Sequence, residues 1–458
     1  MRAAAAVGLA LLLALSGCSV GYGGPTADGD AGGPTPTPAD EPTATRTPTP
    51  TDRQTPTPTP SSRQSAPGAS FDGPPGDEST IAVRSGRIPV DATAVYDRTQ
   101  RLLGTAAPRP EAVQLLNTTA NTTRPPEFQR LLGLERNVSE VEAAAFVVGP
   151  RTVYLNRNVT DRPAFTEHVL AHEFTHTVQF RTGAIGRVQA ATGPGPDGEF
   201  ASTAVIEGAA TYAQDRYWRT HIANRTAPGE RPSRAVAASY RASEGAARYS
   251  FAPYRFGYRY ANATLSGPRA LPSLYRDPPR TSEQVLHPGV EDPPVPLRVE
   301  LRGARTGTWQ ETFAPRRGRL GEAFLRVALA TELDDERAAR AAGGWGNDTR
   351  IAFNDESGAR SYAWVVRFDA AANASTFDEA VGTYLDRRTG SGPLVDDRPG
   401  RRWSGTVDDR RVAYRLVRTD DRTAVLLLGE PGFVDAGTTT VRGEDGRVVI
   451  ATDGAENG

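Results

Sequence analysis

The sequence contains a single cysteine, Cys18, and no lysine among its 458 residues. A lone cysteine excludes an internal disulfide and a metal site made of cysteine ligands, so any metal has to be held by histidine and carboxylate side chains. All 53 basic residues are arginine, and they balance 54 acidic residues to a formal net charge of -1. Because this balance creates no overall field, we expect neither nucleic acid nor an anionic membrane surface as a partner.

The first residues have the pattern of a signal peptide. Met1–Gly17 carries one basic residue, an apolar stretch and small residues before Cys18. An apolar stretch of this length is too short to span a bilayer. Leu15–Cys18 resembles the lipobox of prokaryotic lipoproteins, in which the cysteine becomes the lipidated first residue; an ordinary secreted protein is the alternative. The resemblance predicts a lipid anchor on Cys18 that holds the protein at the extracellular face of the cell membrane.

Proline and glycine are enriched between residues 18 and 77, which hold 13 of the 37 prolines and nine of the 46 glycines. Runs such as Thr55–Pro60 alternate threonine and proline, and the segment has almost no large apolar residue, so it cannot form a core. Alternating proline favours extended polyproline II, and such tracts are typical of O-glycosylated stalks. We expect residues 18–77 to be a disordered stalk, either semi-rigid or plainly flexible.

Asparagine is concentrated in sequons for N-glycosylation. Eight of the 11 asparagines begin Asn-X-Ser/Thr, and such sequons mark exposed positions in exported proteins. Together with the lipobox they resemble the surface lipoproteins of haloarchaea, although the strong acidity of those proteins is missing here. The candidates are Asn117, Asn121, Asn137, Asn158, Asn224, Asn262, Asn347 and Asn373.

Residues 161–180 have the pattern of a helix that carries metal ligands. Asp161 is a candidate N-cap residue, a proline lies in the first turn, and no glycine interrupts the segment. His172 and His176 are spaced i and i+4, so their imidazoles project from one face, about 6 Å apart, and can reach one ion. Glu173 flanks that face, where it can take a proton from an activated water and pass it to a leaving amine.

Two histidines make an incomplete site, and Glu207 is the candidate third ligand. It lies on a second helical pattern over residues 197–221. The glycine- and proline-rich segment Gly193–Pro196 can turn the chain so that the two helices pack side by side. Gly208 has no side chain, which we expect to let the second helix approach the first closely.

With these residues in place, the chain resembles the gluzincin-type HExxH metallopeptidases, the broad thermolysin-like class. The resemblance implies a zincin-like fold, a peptide or protein substrate and one zinc ion, held by the two histidines and Glu207, with Glu173 as general base. Those enzymes place an aspartate four residues after the ligand glutamate, where it supports the ligands. Here that position is Thr211, and Asp215, one turn further on, is the candidate substitute.

The chain is also similar to a narrower family of exported bacterial and archaeal proteins. The similarity rests on His172–His176, Glu207–Tyr212, Pro253–Gly257 and Pro278–Pro288, and it covers roughly Ile81–Phe368.

Five further side chains are candidates for stabilising a transition state or orienting a ligand. His287 closes a proline-rich loop, and a histidine or tyrosine from a later segment commonly donates a hydrogen bond to the oxyanion in zincins. Tyr254, Tyr258 and Tyr212 are equally suited to that role. His168, one turn before the first ligand, is a further ligand, a donor behind the ligands or simply a packed histidine.

The expected fold class is α+β. Two short β-rich runs between residues 143 and 155 fit the small sheet of a zincin-like, metal-binding domain over residues 78–296. The pattern over residues 297–440 predicts an α+β C-terminal region with a helix over 320–342. This region is either an independent domain or an extension packed on the first domain. The acidic, glycine-rich residues 441–458 are expected to be a frayed tail.

Three functions fit these patterns. The first is a membrane-anchored extracellular zinc hydrolase, expected to be a metallopeptidase. The second is a non-catalytic surface protein in which the metal clips two helices together for adhesion or envelope structure. The third is a chance HExxH in a structural helix, which makes Glu207 a coincidence as well. The first two differ in the fourth coordination position, which is open to water in catalytic zinc and closed by a protein ligand, such as His168, in structural zinc. The sequence leaves the substrate and the oligomeric state open.

Overall fold

The computed structural model describes residues 80–117, 124–135, 144–226, 230–303, 308–312, 318–394, 399–435 and 437–452. The expectations for the signal peptide, for Cys18 and the stalk, for Asn121 and Asn137, and for residues 453–458 lie outside this part of the chain. The described residues belong to one compact unit.

Both helices and strands build this unit, which confirms the α+β class. The described helices are α1 (Ala92–Leu103), α2 (Glu127–Leu131), α3 (Pro163–Arg181), α4 (Ala184–Thr192), α5 (Pro196–His221), α6 (Pro232–Ala242), α7 (Gly245–Thr264), α8 (Leu271–Arg276), α9 (Ser282–Leu286), α10 (Gly321–Leu329), α11 (Asp335–Ala342), α12 (Ala371–Thr389) and α13 (Pro431–Val434). None of these described helices is long and apolar enough to cross a membrane. The described strands are β1 (Ala82–Arg84), β2 (Ala112–Leu116), β3 (Ala145–Val147), β4 (Thr152–Asn156), β5 (Arg298–Arg302), β6 (Gln310–Glu311), β7 (Trp345–Asn354), β8 (Arg360–Phe368), β9 (Arg401–Val407), β10 (Arg410–Arg418), β11 (Thr423–Gly429), β12 (Thr439–Glu444) and β13 (Arg447–Thr452).

The first sheet supports α3. Its order is β1-β2-β4-β3, with β1, β2 and β4 parallel and β3 antiparallel to β4. The strands β3 and β4 are the two β-rich runs that the sequence predicted. Side chains alternate between the faces of a strand, so Val113, Leu115 and Val153 enter one buried core, which they share with Leu170 and Phe174 of α3. This core fixes α3 against the sheet.

The helix α5 packs against both α3 and α7. A Cβ atom on Gly208 would lie 2.2 Å from the carbonyl carbon of Gly257 in α7, and a Cβ atom on Gly257 would lie 1.9 Å from the carbonyl oxygen of Ala204. Only glycine permits such an approach of two backbones. We expected Gly208 to let α5 approach α3 closely. The close approach is instead between α5 and α7, so the expected partner helix was wrong.

The second sheet, β6-β7-β8-β11-β10-β9, is antiparallel throughout. Apolar side chains of α10, α11 and α12 form a core with it, and Phe128 and Leu131 of α2 belong to the same core. Tyr384 of α12 donates a hydrogen bond to the Leu132 carbonyl at 2.9 Å. Residues from before and after position 296 thus share one core, so the C-terminal region extends the first part of the chain.

The third sheet joins the last described strands to β5. The strands β12 and β13 form an antiparallel hairpin, and β13 pairs in parallel with β5. Val448 and Ile450 are fully buried. The expectation of a frayed tail from residue 441 is therefore wrong as far as Thr452, because the apolar residues of β13 outweigh their acidic and glycine-rich neighbours.

The predicted helix over residues 320–342 is two helices. The first, α10, ends at Leu329. Asp334 then caps α11 by accepting a hydrogen bond from the backbone N–H of Arg337 at 2.8 Å. An aspartate in this position favours a new helix start, so the helical pattern is interrupted there.

Candidate metal centre

The middle of helix α3 is buried on all sides. It begins at Pro163 with no side-chain cap, so Asp161 is not its N-cap residue. The residues from Thr166 to Gln179 are all buried, and they include three histidines and two glutamates. Because a buried polar group costs free energy unless it is paired, these side chains need partners in the interior.

Three predicted ligands meet there. Nε2 of His172 lies 3.0 Å from Nε2 of His176, and Oε2 of Glu207, on α5, lies 3.4 and 3.0 Å from those two nitrogens. Ligand atoms about 2.1 Å from a tetrahedral ion are about 3.4 Å apart, so these separations fit one zinc-sized ion. Among the described residues, these three side chains form the group of His, Cys, Asp or Glu whose ligand atoms lie close enough together to hold one metal ion.

The charges of the three ligands favour a cation between them. Burial lowers the pKa of His172. Burial acts in the same direction on His176, but the carboxylate of Glu207 outweighs it and raises the pKa of His176 to about 9. Burial alone would raise the pKa of Glu207, and the two imidazoles reverse this and hold that pKa below its ordinary value. The cluster therefore stabilises positive charge at its centre, which a divalent cation would supply.

Gln179 fixes the orientation of His176. Its Oε1 accepts a hydrogen bond from Nδ1 of His176 at 2.7 Å, which leaves Nε2 free to bind a metal. Its amide nitrogen donates to the Ile206 carbonyl and to the Tyr275 hydroxyl, both at 2.9 Å. Such partners behind a ligand set its tautomer and its angle. We did not predict this role from the sequence; the i,i+3 spacing from His176 could have indicated Gln179, whereas Tyr275 comes from a distant helix.

Glu173 is a buried carboxylate that follows the first ligand histidine on α3. It is 1% exposed, and its Oε2 has no hydrogen-bond partner among the described residues. Burial raises its pKa to about 8, opposed by the charge of His176 and supported by that of Glu207. Glu173 directly follows the ligand His172 on α3, so its side chain starts next to the cluster. A carboxyl with a pKa near neutrality can both accept and release a proton.

The predicted supporting residues on α5 serve other contacts. Asp215 is held by Arg231 through two hydrogen bonds of 2.8 Å and by Arg219 at 3.2 Å. It is thus an ion-pair centre for α5 and α6. Thr211 is buried, and the hydroxyl of Tyr212 accepts a hydrogen bond from Arg216 at 3.2 Å. Nδ1 of His172 has no hydrogen-bond partner among the described residues, so the missing aspartate is not replaced there.

The side chains predicted to stabilise an oxyanion contact residues other than the three candidate ligands. His287 pairs with the buried carboxylate of Glu322 at 2.9 Å. Tyr254 is buried in an apolar cluster with Phe200 and Phe256, and the Tyr258 hydroxyl donates to Asp215 at 3.3 Å.

His168 is buried on α3 and accepts a hydrogen bond from Gln214 at its Nδ1, at 3.0 Å. Burial, with the nearby charge of His172, lowers its pKa to about 3. It is not one of the side chains whose ligand atoms converge, which leaves a three-ligand cluster among the described residues.

The described sequons fall into two groups. Asn117, Asn158, Asn224 and Asn262 are exposed. Asn347 and Asn373 are half-buried, and their side-chain amides donate hydrogen bonds to the carbonyls of Val295 and Gly343 at 2.8 and 3.2 Å.

In the comparison with known proteins, one family model matches part of the chain. Residues 310–442 match the model of a domain of unknown function, DUF8575. This region runs from β6 into β12 and does not include α3 or α5. No protein of curated function and no solved structure matches the chain significantly. The chemistry of the site therefore rests on its geometry.

Proposed function

We propose that the chain is a zinc-dependent hydrolase, and in particular a metallopeptidase. The observation that carries the proposal is the three-ligand cluster of two histidines and Glu207 with the unpartnered carboxyl of Glu173 beside it. Three protein ligands leave a tetrahedral ion one position for water, as in catalytic zinc sites. A purely structural site needs neither an open position nor an adjacent carboxyl that lacks a partner.

The roles of the side chains follow from their positions. When bound, zinc would lower the pKa of a water molecule to about 7 and polarise a carbonyl. Glu173 takes the proton of the attacking water on its buried carboxylate and returns it to the leaving amine. Gln179 holds His176 with its Nε2 towards the cluster. The gluzincin resemblance supports peptides or proteins as substrates, and the lipobox and sequons support an extracellular, membrane-anchored protein.

The burial of the cluster favours a second candidate function. His172 is 7% exposed, and His176 and Glu207 are 0% and 1% exposed. A substrate needs a path to the metal, whereas a metal that only clips α3 to α5 does not. In this second function the protein is a non-catalytic surface protein for adhesion or envelope structure, and Glu173 has no chemical role.

Metal content is the first test. Elemental analysis of the purified protein should give about one zinc per chain, and His176→Ala should remove it. His287→Ala is the matched control, because His287 pairs with Glu322 outside the cluster, and it should keep the metal. A chain without metal under zinc-replete conditions would contradict both functions.

The second test separates catalysis from a structural clip. Glu173→Gln keeps the size of the side chain and removes the base, so it should retain zinc and lose peptide hydrolysis, measured with a library of quenched fluorescent peptides. Glu199→Gln, an exposed glutamate on α5, controls for the loss of charge and should retain activity. Hydrolysis that is absent from the zinc-loaded wild type as well would favour the structural clip.

A further inference from the structure

A cleft of about 480 Å³ lies between the start of α1 and the end of α5. Its charged and polar lining comes from three elements: α1 contributes Arg98, α3 contributes Glu167, and the end of α5 with the following turn contributes His221, Asn224 and Arg225. None of these residues is a candidate metal ligand. The volume is in the range of sites for small molecules.

The most deeply buried acceptor in this cleft, the carboxylate of Glu167, is already used. Glu167, which is 3% exposed, accepts hydrogen bonds from Arg98, Tyr217 and Arg225, each at 2.9 Å. Asp91, an exposed residue that also lines the cleft, accepts with its Oδ1 from the backbone N–H of Ala94 and so caps α1. The buried carboxylate of Glu167 therefore has little capacity left for a ligand that donates hydrogen bonds.

The donors, in contrast, are mostly unused. The Arg98 side chain is 38% exposed and spends one N–H on Glu167. The Arg225 side chain is 49% exposed, and its Nη1 makes no hydrogen bond with a described residue. Burial, with the charges of Arg98, Arg101 and Arg225, lowers the pKa of His221, and Glu167 compensates only in part. The open space of the cleft is thus rich in guanidinium donors.

We propose that this cleft binds a small oxyanion, the carboxylate or phosphate group of a low-molecular-weight ligand, between the guanidiniums of Arg98 and Arg225. Guanidinium groups present paired N–H donors that match the oxygen spacing of both anions. Glu167 holds the two arginines in place through its hydrogen bonds. A donor that is already fixed loses less conformational entropy when the ligand binds. None of the residues that line this cleft belongs to the metal cluster, so this inference goes beyond the proposed hydrolase.

The test uses inorganic phosphate and acetate as probes for the two sources of the anion, with chloride at equal ionic strength as reference. Full-length protein with isotopically labelled histidine rings is titrated by NMR. Because a bound anion favours the imidazolium form, the pKa of His221 should rise on saturation, while the buried His168 resonance should not move. Saturation by phosphate alone points to phosphate esters, and saturation by acetate points to carboxylates.

Variants check the location of the site. Arg225→Gln and Arg98→Gln should each weaken binding of the probe by about tenfold, the effect of one charge-assisted contact. Arg187→Gln, on α4, removes an arginine that donates to the Thr182 carbonyl outside the cleft, and it should bind as the wild type does. The proposal is overturned if neither probe produces a saturable change at His221, or if all three variants bind the probe equally.

Discussion

The hydrogen bonds of Gln179 give the sharpest prediction about the metal site. In Gln179→Leu the side chain keeps nearly the same volume, but Nδ1 of His176 loses its acceptor. The Ile206 carbonyl and the Tyr275 hydroxyl lose their donor as well, since all three contacts of 2.7 to 2.9 Å converge on this one amide. The imidazole of His176 is then free to rotate or to change tautomer, and both changes move Nε2 away from the cluster.

The magnitude follows from the burial of these groups. Loss of a partner behind a metal ligand typically reduces metal affinity by about 10- to 100-fold, which is about 1.4 to 2.8 kcal/mol. Tyr275→Phe leaves the His176 hydrogen bond intact, but one N–H of Gln179 loses its acceptor. A buried donor without a partner should lower the free energy of unfolding by about 1 to 3 kcal/mol. The effect of Tyr275→Phe on zinc affinity should therefore be smaller than that of Gln179→Leu.

The assay is a competition titration of zinc against a chromophoric chelator, accompanied by urea unfolding of the metal-free protein. Tyr384→Phe is the matched control, because Tyr384 also donates a buried hydrogen bond, to the Leu132 carbonyl at 2.9 Å, in the core of the second sheet. It should lower stability as Tyr275→Phe does and leave zinc affinity unchanged. Equal zinc affinity in wild type and Gln179→Leu would refute the positioning role of this amide.

Three further predictions concern other parts of the molecule. Gly257→Ala forces a methyl group into the backbone of α5, so it should lower the free energy of unfolding by about 1 to 3 kcal/mol; Gly186→Ala on α4, where a Cβ atom meets nothing within 4 Å, should be neutral or stabilising in the same urea titration. The hydrogen bond with Glu322 raises the pKa of His287 above its ordinary value of 6.5, so its stabilisation is complete below that value and is lost as the pH rises through the raised pKa. His287→Gln should flatten this decline in urea midpoints as the pH rises above 6.5, and an unchanged slope would contradict the assignment. Glycopeptide mass spectrometry of protein purified from its native cells should find no glycan on Asn347, whose amide donates a hydrogen bond inside the fold, while the exposed sequons are available; a fully modified Asn347 would contradict this.

The local part of the site could be predicted from the sequence. The i,i+4 spacing of His172 and His176 places both imidazoles on one face in any α-helix, and Glu207 was found because a third ligand was needed on a neighbouring helix. The structure places these three ligand atoms within 3.4 Å of one another. Zinc itself and the hydrolytic reaction remain predictions.

The long-range part could not be predicted. Tyr275 reaches Gln179 across 96 positions of the chain, and a single sequence gives no signal for such a pair. Gly208 was correctly expected to mark a close contact between two helices, but the partner is α7 and not α3. A glycine in the sequence indicates that another backbone comes close, and it does not indicate which element that backbone belongs to. The tail was misjudged for a related reason: the pairing of β13 with β5 joins residues about 150 positions apart, and only that pairing buries Val448 and Ile450.

The contacts of α5 connect the candidate metal site to both parts of the described unit. In the first turn of α5, the buried carboxylate of Asp197 accepts a hydrogen bond from the Ser282 backbone at 2.8 Å, and its own N–H donates to the Arg319 carbonyl at 3.0 Å. The other half of the helix is held through Asp215 by Arg231. Glu207 lies between these two attachments, so its carboxylate is placed by contacts from both sides of residue 296. Because Arg319 belongs to the region that matches the family of unknown function, that region acts here as part of the scaffold of the metal site.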